Sequence, residues 1–146
     1  MATTTTYLEA GAAAPPFDAS DEQGHVHRLS GYAGKTLVLC FIPAQAPGLA
    51  GRNFHESYPG SQKEDIFLLG VMIGTPKSIG EFKRHVRAPF PILCDDGRIT
   101  AAYGVTSVMN AGRNMAFFAI GPEGDIRLVL KHARNPRHVY ELLARV

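Results

Sequence analysis

The sequence predicts an α/β fold in which a mixed central sheet is flanked by helices and preceded by a β-hairpin. Two segments, 35–42 and 66–74, are continuously apolar and rich in branched side chains, as strands covered on both faces must be. Apolar residues at helical spacing follow the second of these runs and recur at the end of the chain. Alternating strands and helices, then a hairpin and a last helix, are typical of an α/β sandwich.

Each element has its own sequence signal. Residues 1–8 are predicted to be a disordered tail, and 9–146 a single domain. The segment 17–30 turns at Glu22-Gln23-Gly24, which predicts the hairpin. Thr75 and Pro76 fit the cap and the first position of a helix. We predict strands near 36–42, 66–73, 90–94, 115–121 and 126–131, short helices within 51–58 and 97–105, and longer helices near 76–87 and 136–145.

Composition excludes several classes of protein. The 146 residues carry a formal net charge of only +2, so a nucleic-acid partner is not expected. There is no apolar run of membrane-spanning length and no basic segment before an apolar one near the start. Two cysteines far apart in sequence favour a reducing compartment, and we expect a cytoplasmic protein. His25 and His27 alternate on one hairpin strand and are interpreted as exposed polar residues; no metal site or cofactor is expected.

Four segments in order resemble the peroxiredoxins, in particular the AhpC/TSA thiol peroxidases of the bacterioferritin-comigratory type. They are LEAGAAAPPFDASDEQG, LSGYAGKTLVLCFIP, EFKRHVRAPFPILCDDGRITAAYGV and AFFAIGPEGDI, at 8–24, 29–43, 81–105 and 116–126. The resemblance covers nearly the whole chain and implies a thioredoxin-like fold. It also implies reduction of hydroperoxides by a cysteine thiolate, whose pKa a helix N-terminus and a cation must lower.

The family's catalytic positions are occupied by apolar residues here. Its proline is present as Pro43, but the threonine position is Ala46 and the cysteine position is Leu49. The arginine on a later strand falls at Met115. Counting back from Phe54 instead places Pro47 at the cysteine position, and neither placement supplies a cysteine. The resemblance therefore implies a degenerate site, and the first hypothesis is a non-catalytic module that binds an unknown protein or small ligand, with a homodimer left open by analogy.

The alternative is an atypical thiol-dependent peroxidase or oxidoreductase that uses Cys94 or Cys40. Cys40 lies in an apolar run and is interpreted as a core residue. Cys94 precedes Asp95 and Asp96, whose charges would raise the pKa of its thiol. Three basic residues are weaker candidates for binding: Arg52 and His55, which share a helix face and could hold an anion, and Arg113, two residues before Met115.

Overall fold

The computed structural model describes residues 10–42, 66–86, 88, 90–105 and 115–133. In these ranges the strands are β1 (Asp18–Ser20), β2 (Val26–Arg28), β3 (Thr36–Phe41), β4 (Ile66–Ile73), β5 (Ile92–Asp95), β6 (Met115–Ile120) and β7 (Ile126–Ala133). The helices are α1 (Pro76–Val86), α2 (Arg98–Ala102) and a single 3-10 turn, Leu29–Tyr32. The tail predicted over 1–8 and the helices predicted within 51–58 and 136–145 lie outside the described residues.

The main sheet is mixed, as predicted, with strand order β5-β4-β3-β6-β7. Strands β3, β4 and β5 are parallel, while β6 and β7 are antiparallel to their neighbours. Strand β5 begins at Ile92, two residues later than predicted, because Pro91 has no N–H group to give to a strand ladder. The predicted amino-terminal hairpin forms a separate two-stranded sheet from β1 and β2.

Strand β3 forms the centre of the fold because its side chains are buried on both faces. Val38 and Cys40 pack in one apolar cluster and Leu37 and Leu39 in the other, as the two-residue repeat of a strand requires. Each of these four side chains is at most 1% exposed. The first cluster is covered by Ile79 and Phe82 of α1, and the second by α2 and the amino-terminal segment.

The segment 11–21 crosses the second face of the sheet and links strand β7 at one edge to strand β5 at the other. Backbone hydrogen bonds join it to the start of β7: Gly11 N–H donates to the Ile126 carbonyl at 2.7 Å, and Ala14 N–H to that of Gly124 at 2.8 Å. At the other edge, Asp21 forms an isolated antiparallel bridge with Leu93 of β5. The Tyr103 hydroxyl donates to the Pro15 carbonyl at 2.7 Å and fixes the middle of the crossing.

Helix α1 begins as the sequence predicts. Ser78 N–H donates to Thr75 Oγ1 and Thr75 N–H donates to Ser78 Oγ, both at 3.1 Å, which forms a reciprocal cap around Pro76. No helix within the described ranges is long and apolar enough to cross a membrane.

Candidate functional site

The predicted peroxidatic site would lie at the end of the sheet where the central strand β3 ends. Phe41 pairs with Ala116 of β6, so Met115 follows at the end of the sheet where the chain leaves β3. Ile42 N–H donates to the Val71 carbonyl at 2.9 Å, and the chain then enters 43–65. The backbones of Met115 and Ile42 therefore lie at the same end of the sheet.

Six predicted site positions fall outside the described residues: Pro43, Ala46, Leu49, Arg52, His55 and Arg113. Their assignment as degenerate catalytic positions or as candidate binding residues stays a prediction. Their identities are fixed by the sequence, and no cysteine occurs anywhere in 43–65.

An aromatic cluster formed by Phe41, Tyr103 and Phe118 lies near this end of the sheet. The three ring centroids are 5.3 to 5.5 Å apart, and two of the three pairs meet edge to face. Burial raises the pKa of the Tyr103 hydroxyl well above its usual range. A tyrosine in this state stays a neutral donor, so Tyr103 serves the packing and the hydrogen bond to Pro15, not proton transfer.

Cys40 is a core residue, as predicted. Its side chain is fully buried in β3, between Gly70 of β4 and Phe117 of β6. Burial raises the pKa of its thiol well above the usual value. The thiolate form is therefore strongly disfavoured, and reagents in solution have no direct access to the sulfur.

Cys94 is half-buried in β5, and its pKa is also raised. The direction was predicted correctly, but the predicted cause was wrong. Burial is the largest contribution, followed by the negative charges of Glu22 and Asp21, which belong to the hairpin. Asp95 is engaged elsewhere, because its carboxylate accepts hydrogen bonds from the backbone N–H groups of Ile99 and Thr100 at the start of α2.

Neither cysteine takes part in a disulfide. Strands β3 and β5 lie on opposite sides of β4, so two strand spacings of about 4.8 Å separate them. This separation of roughly 9.6 Å exceeds the Cα–Cα distance of about 7 Å that a disulfide can span. A redox cycle between Cys40 and Cys94 would require the sheet to come apart.

The hairpin carries a buried polar network that the sequence analysis missed. The Asp21 carboxylate is 4% exposed and accepts hydrogen bonds from the Gln23 and His25 N–H groups at 2.8 and 2.9 Å. His27 Nε2 lies 2.9 Å from Asp21 Oδ2, and His27 Nδ1 lies 2.9 Å from the Tyr32 hydroxyl. His25 is exposed as predicted, but the prediction for His27 was wrong: its side chain is only 16% exposed, because it bridges Asp21 and Tyr32.

Glu22 ties the hairpin to α1 and β5. Its Oε2 accepts a hydrogen bond from Lys83 Nζ at 2.8 Å, and its Oε1 accepts one from Ile92 N–H at 3.1 Å. Burial opposes ionisation of the carboxyl, but these bonds and the Lys83 charge outweigh it and lower the pKa of Glu22. Asp21 behaves in the same way, with burial offset by its hydrogen bonds to His27, His25 and Gln23.

A metal centre is not formed by these side chains. Within the described ranges, no group of three or more histidine, cysteine, aspartate or glutamate residues is arranged to hold a metal ion. The hydrogen bonds among Asp21, His27 and Tyr32 stabilise the hairpin. The adjacent Glu22–Lys83 pair holds that hairpin against α1.

Comparison with known proteins agrees with this architecture. The sequence profile of the AhpC/TSA family matches residues 10–129. The thiol-disulfide oxidoreductase ResA of Geobacillus kaustophilus is 30% identical over 88% of this chain and 72% of its own length. Peroxiredoxin Bcp of Bacillus subtilis is 27% identical over 93% of both chains.

Solved structures show the same fold. A peroxiredoxin Q structure from Xanthomonas campestris superposes with a TM-score of 0.74 and 26% identity, covering 97% of this chain and 96% of its own. A thiol:disulfide interchange protein DsbE from Chlorobium tepidum gives a TM-score of 0.71 at 20% identity, over 96% and 95%. The predicted thioredoxin-like fold of the peroxiredoxin type is confirmed.

Proposed function

Because the chain belongs to the AhpC/TSA family, we propose that it is a member whose peroxide-reducing site has degenerated and that it acts as a non-catalytic binding or interaction module. One observation carries the proposal: the chain has two cysteines, and both are residues of the sheet with raised pKa values. Neither belongs to the segment after β3, where the family places its nucleophile.

The chemistry of peroxide reduction explains why this matters. The attacking species is a thiolate, and its rate depends on the ionised fraction of the cysteine. A thiol whose pKa is raised above its ordinary value is almost entirely protonated at pH 7. Cys40 is also enclosed by the core, and Cys94 has carboxylates where an activated thiol would need cations.

The residues at the degenerate positions are consistent with each other. Leu49 supplies no nucleophile, Ala46 no hydroxyl and Met115 no cation. An arginine retained beside a leucine would be a poorly paired charge among apolar neighbours, which is costly. We therefore expect a protein that no longer needs to reduce peroxide to lose all three polar groups together.

The direct test is a stopped-flow peroxide assay on the whole protein. We expect hydrogen peroxide to be consumed no faster than by a generic free thiol at the same concentration. Cys40→Ser and Cys94→Ser should leave that background rate essentially unchanged. Rapid turnover that disappears in Cys94→Ser but persists in Cys40→Ser would contradict the proposal and support the alternative, a thiol-dependent oxidoreductase that uses Cys94.

A second test rebuilds the site. Leu49→Cys alone should restore little activity, because the new thiolate still lacks its cation and hydroxyl. Adding Ala46→Thr and Met115→Arg should raise the rate further, by about ten- to a hundredfold if one charge-assisted hydrogen bond is fully expressed in the transition state. Leu49→Ser is the matched control, since serine is close to cysteine in size but forms no thiolate. A single Leu49→Cys variant with full peroxidase activity would show that the surrounding site had never degenerated.

A further inference from the structure

A groove of about 590 Å³ lies between the hairpin turn and α1. One wall is formed by Glu22 and Gln23 of the turn, and the other by Lys77, Gly80, Lys83 and Arg84 of α1. The described residues that line the groove include neither cysteine, and those that carry charge belong to the turn and to α1. The groove is therefore independent of the proposed function, and each can fail without the other.

The charge in the groove is positive. Glu22 is the only acid among the described residues that line it, and both of its carboxylate oxygens are already bound, to Lys83 and to Ile92 N–H. The pair is largely shielded, with side chains 7% and 24% exposed for Glu22 and Lys83. The net charge of this pair is close to zero, so the positive charge of the groove comes from Lys77 and Arg84.

Lys77 and Arg84 are exposed, and neither forms an ion pair with any described residue. They lie three residues before and four residues after Gly80, which places all three on one face of the helix. The Arg84 guanidinium folds back along this face: its Nη1 is 3.6 Å from the position that a Cβ atom on Gly80 would occupy. Gly80 is itself buried beside the Arg84 side chain, so α1 presents to the groove mainly the side chains of Lys77, Lys83 and Arg84.

We propose that this groove binds the phosphate group of a small phosphorylated molecule. A guanidinium presents paired N–H donors that match two oxygens of a phosphate, and a lysine ammonium adds a compact second charge. The amide of Gln23 on the opposite wall adds a neutral donor. The groove volume is much larger than one phosphate, so the organic part of the molecule would lie along α1 toward Ala88.

The test uses inorganic pyrophosphate as the probe, with calorimetry and amide chemical shifts at constant ionic strength. We expect saturable binding, with shift changes concentrated at 22–23 and 76–88. Arg84→Gln should weaken binding by about ten- to a hundredfold, as loss of a charge-assisted hydrogen bond predicts, and Lys77→Gln should weaken it less.

The matched control is Arg98→Gln, which removes the same charge from a side chain that is 89% exposed on α2 and outside the groove. Its dissociation constant should stay within about twofold of that of the unmodified protein, because a distant surface charge is screened by salt. Equal weakening by Arg98→Gln and Arg84→Gln would overturn the proposal, as would the absence of saturable binding. Citrate tests the selectivity: if this carboxylate anion bound as tightly as pyrophosphate, the assignment to phosphate would be wrong.

Discussion

Cys94 lies next to negative charges that come from a distant part of the sequence. Glu22 and Asp21 precede it by about half the chain, and the contact exists because the hairpin turn closes against β5. Together with burial, their charges raise the pKa of the thiol. Activated thiols in proteins have the opposite surroundings, with cations or a helix N-terminus nearby.

The Glu22→Gln variant tests this explanation at the level of one residue. Removing the carboxylate also frees Lys83 from its ion pair, so both changes should lower the pKa of Cys94. At pH 8 the reaction of Cys94 with a disulfide reagent should become faster by a few-fold and by no more than about tenfold, since a partly exposed pair of charges contributes on the order of 1 kcal/mol. The rate is measured by absorbance of the released thiol, with Cys40→Ser as background so that only Cys94 is followed.

Glu123→Gln is the control for this measurement, because it removes the same charge at the turn between β6 and β7, on the opposite side of the sheet. Its reaction rate should match that of the unmodified protein. A slower reaction in Glu22→Gln would show that the carboxylate does not disfavour the thiolate.

At the scale of elements, two glycines illustrate how packing decides the effect of the same substitution. Gly80 lies inside α1, where the one described neighbour that a Cβ atom would meet is Arg84 Nη1, at an ordinary 3.6 Å. Gly70 lies in β4, where a Cβ atom would lie 3.0 Å from Ile92 Cγ1 and 3.1 Å from Phe90 Cε1. Both neighbours of Gly70 are core side chains at most 3% exposed, so they have little room to move.

We expect Gly80→Ala to raise the free energy of unfolding by about 0.5–1 kcal/mol, because alanine reduces the entropy of the unfolded chain and suits a helix. Gly70→Ala should lower it by about 1–3 kcal/mol, the usual cost of overpacking a core. Urea denaturation followed by circular dichroism measures both values. Destabilisation by Gly80→Ala would show that the helix face at this position is more tightly packed than the structure indicates.

At the scale of the whole molecule, the amino-terminal segment joins the two edges of the sheet and makes its stability depend on pH. Asp21 and Glu22 have pKa values lower in the folded protein than their usual 3.8 and 4.5. The unfolded chain therefore binds protons more readily, and acid favours unfolding. The stability that these carboxylates contribute is fully present above about pH 5 and is lost as the pH falls through their folded pKa values.

The Asp21→Asn variant checks this dependence. It should be less stable than the unmodified protein by about 1–3 kcal/mol at pH 7, since it removes the charged acceptor of three partly buried hydrogen bonds. The difference should shrink as the pH is lowered from 5 to 3, because the unmodified carboxyl then becomes neutral as well. Urea denaturation at each pH gives the free energies.

Asp18→Asn provides the comparison, because Asp18 and its partner Arg28 are both more than 60% exposed. Exposed pairs contribute little, so this variant should stay within about 0.5 kcal/mol of the unmodified protein at every pH. A difference for Asp21→Asn that is constant from pH 7 to pH 3 would mean that the Asp21 charge has no part in stability.

The sequence alone determined the elements whose signals are local. The apolar run of β3, the cap and apolar face of α1 and the Glu22-Gln23-Gly24 turn each specify structure within a few residues, because burial and capping follow directly from side-chain pattern. The order of these elements also identified the fold. The identities at the predicted peroxidatic positions, from Pro43 to Leu49, could likewise be named from the sequence, although their geometry is not described by the structure.

Only the tertiary structure decided the surroundings of the polar residues. The sequence pattern led to the interpretation of His27 as exposed and gave no partners for Asp21 and Glu22, whereas closure of the hairpin on β5 and α1 largely buries all three and supplies their partners. Because of this closure, the negative charges that act on Cys94 come from Glu22 and Asp21, and not from Asp95 as predicted. The Asp95 carboxylate is bound by the N–H groups at the start of α2. Electrostatic effects depend on distance in space and on exclusion of water, and neither quantity follows from separation along the chain.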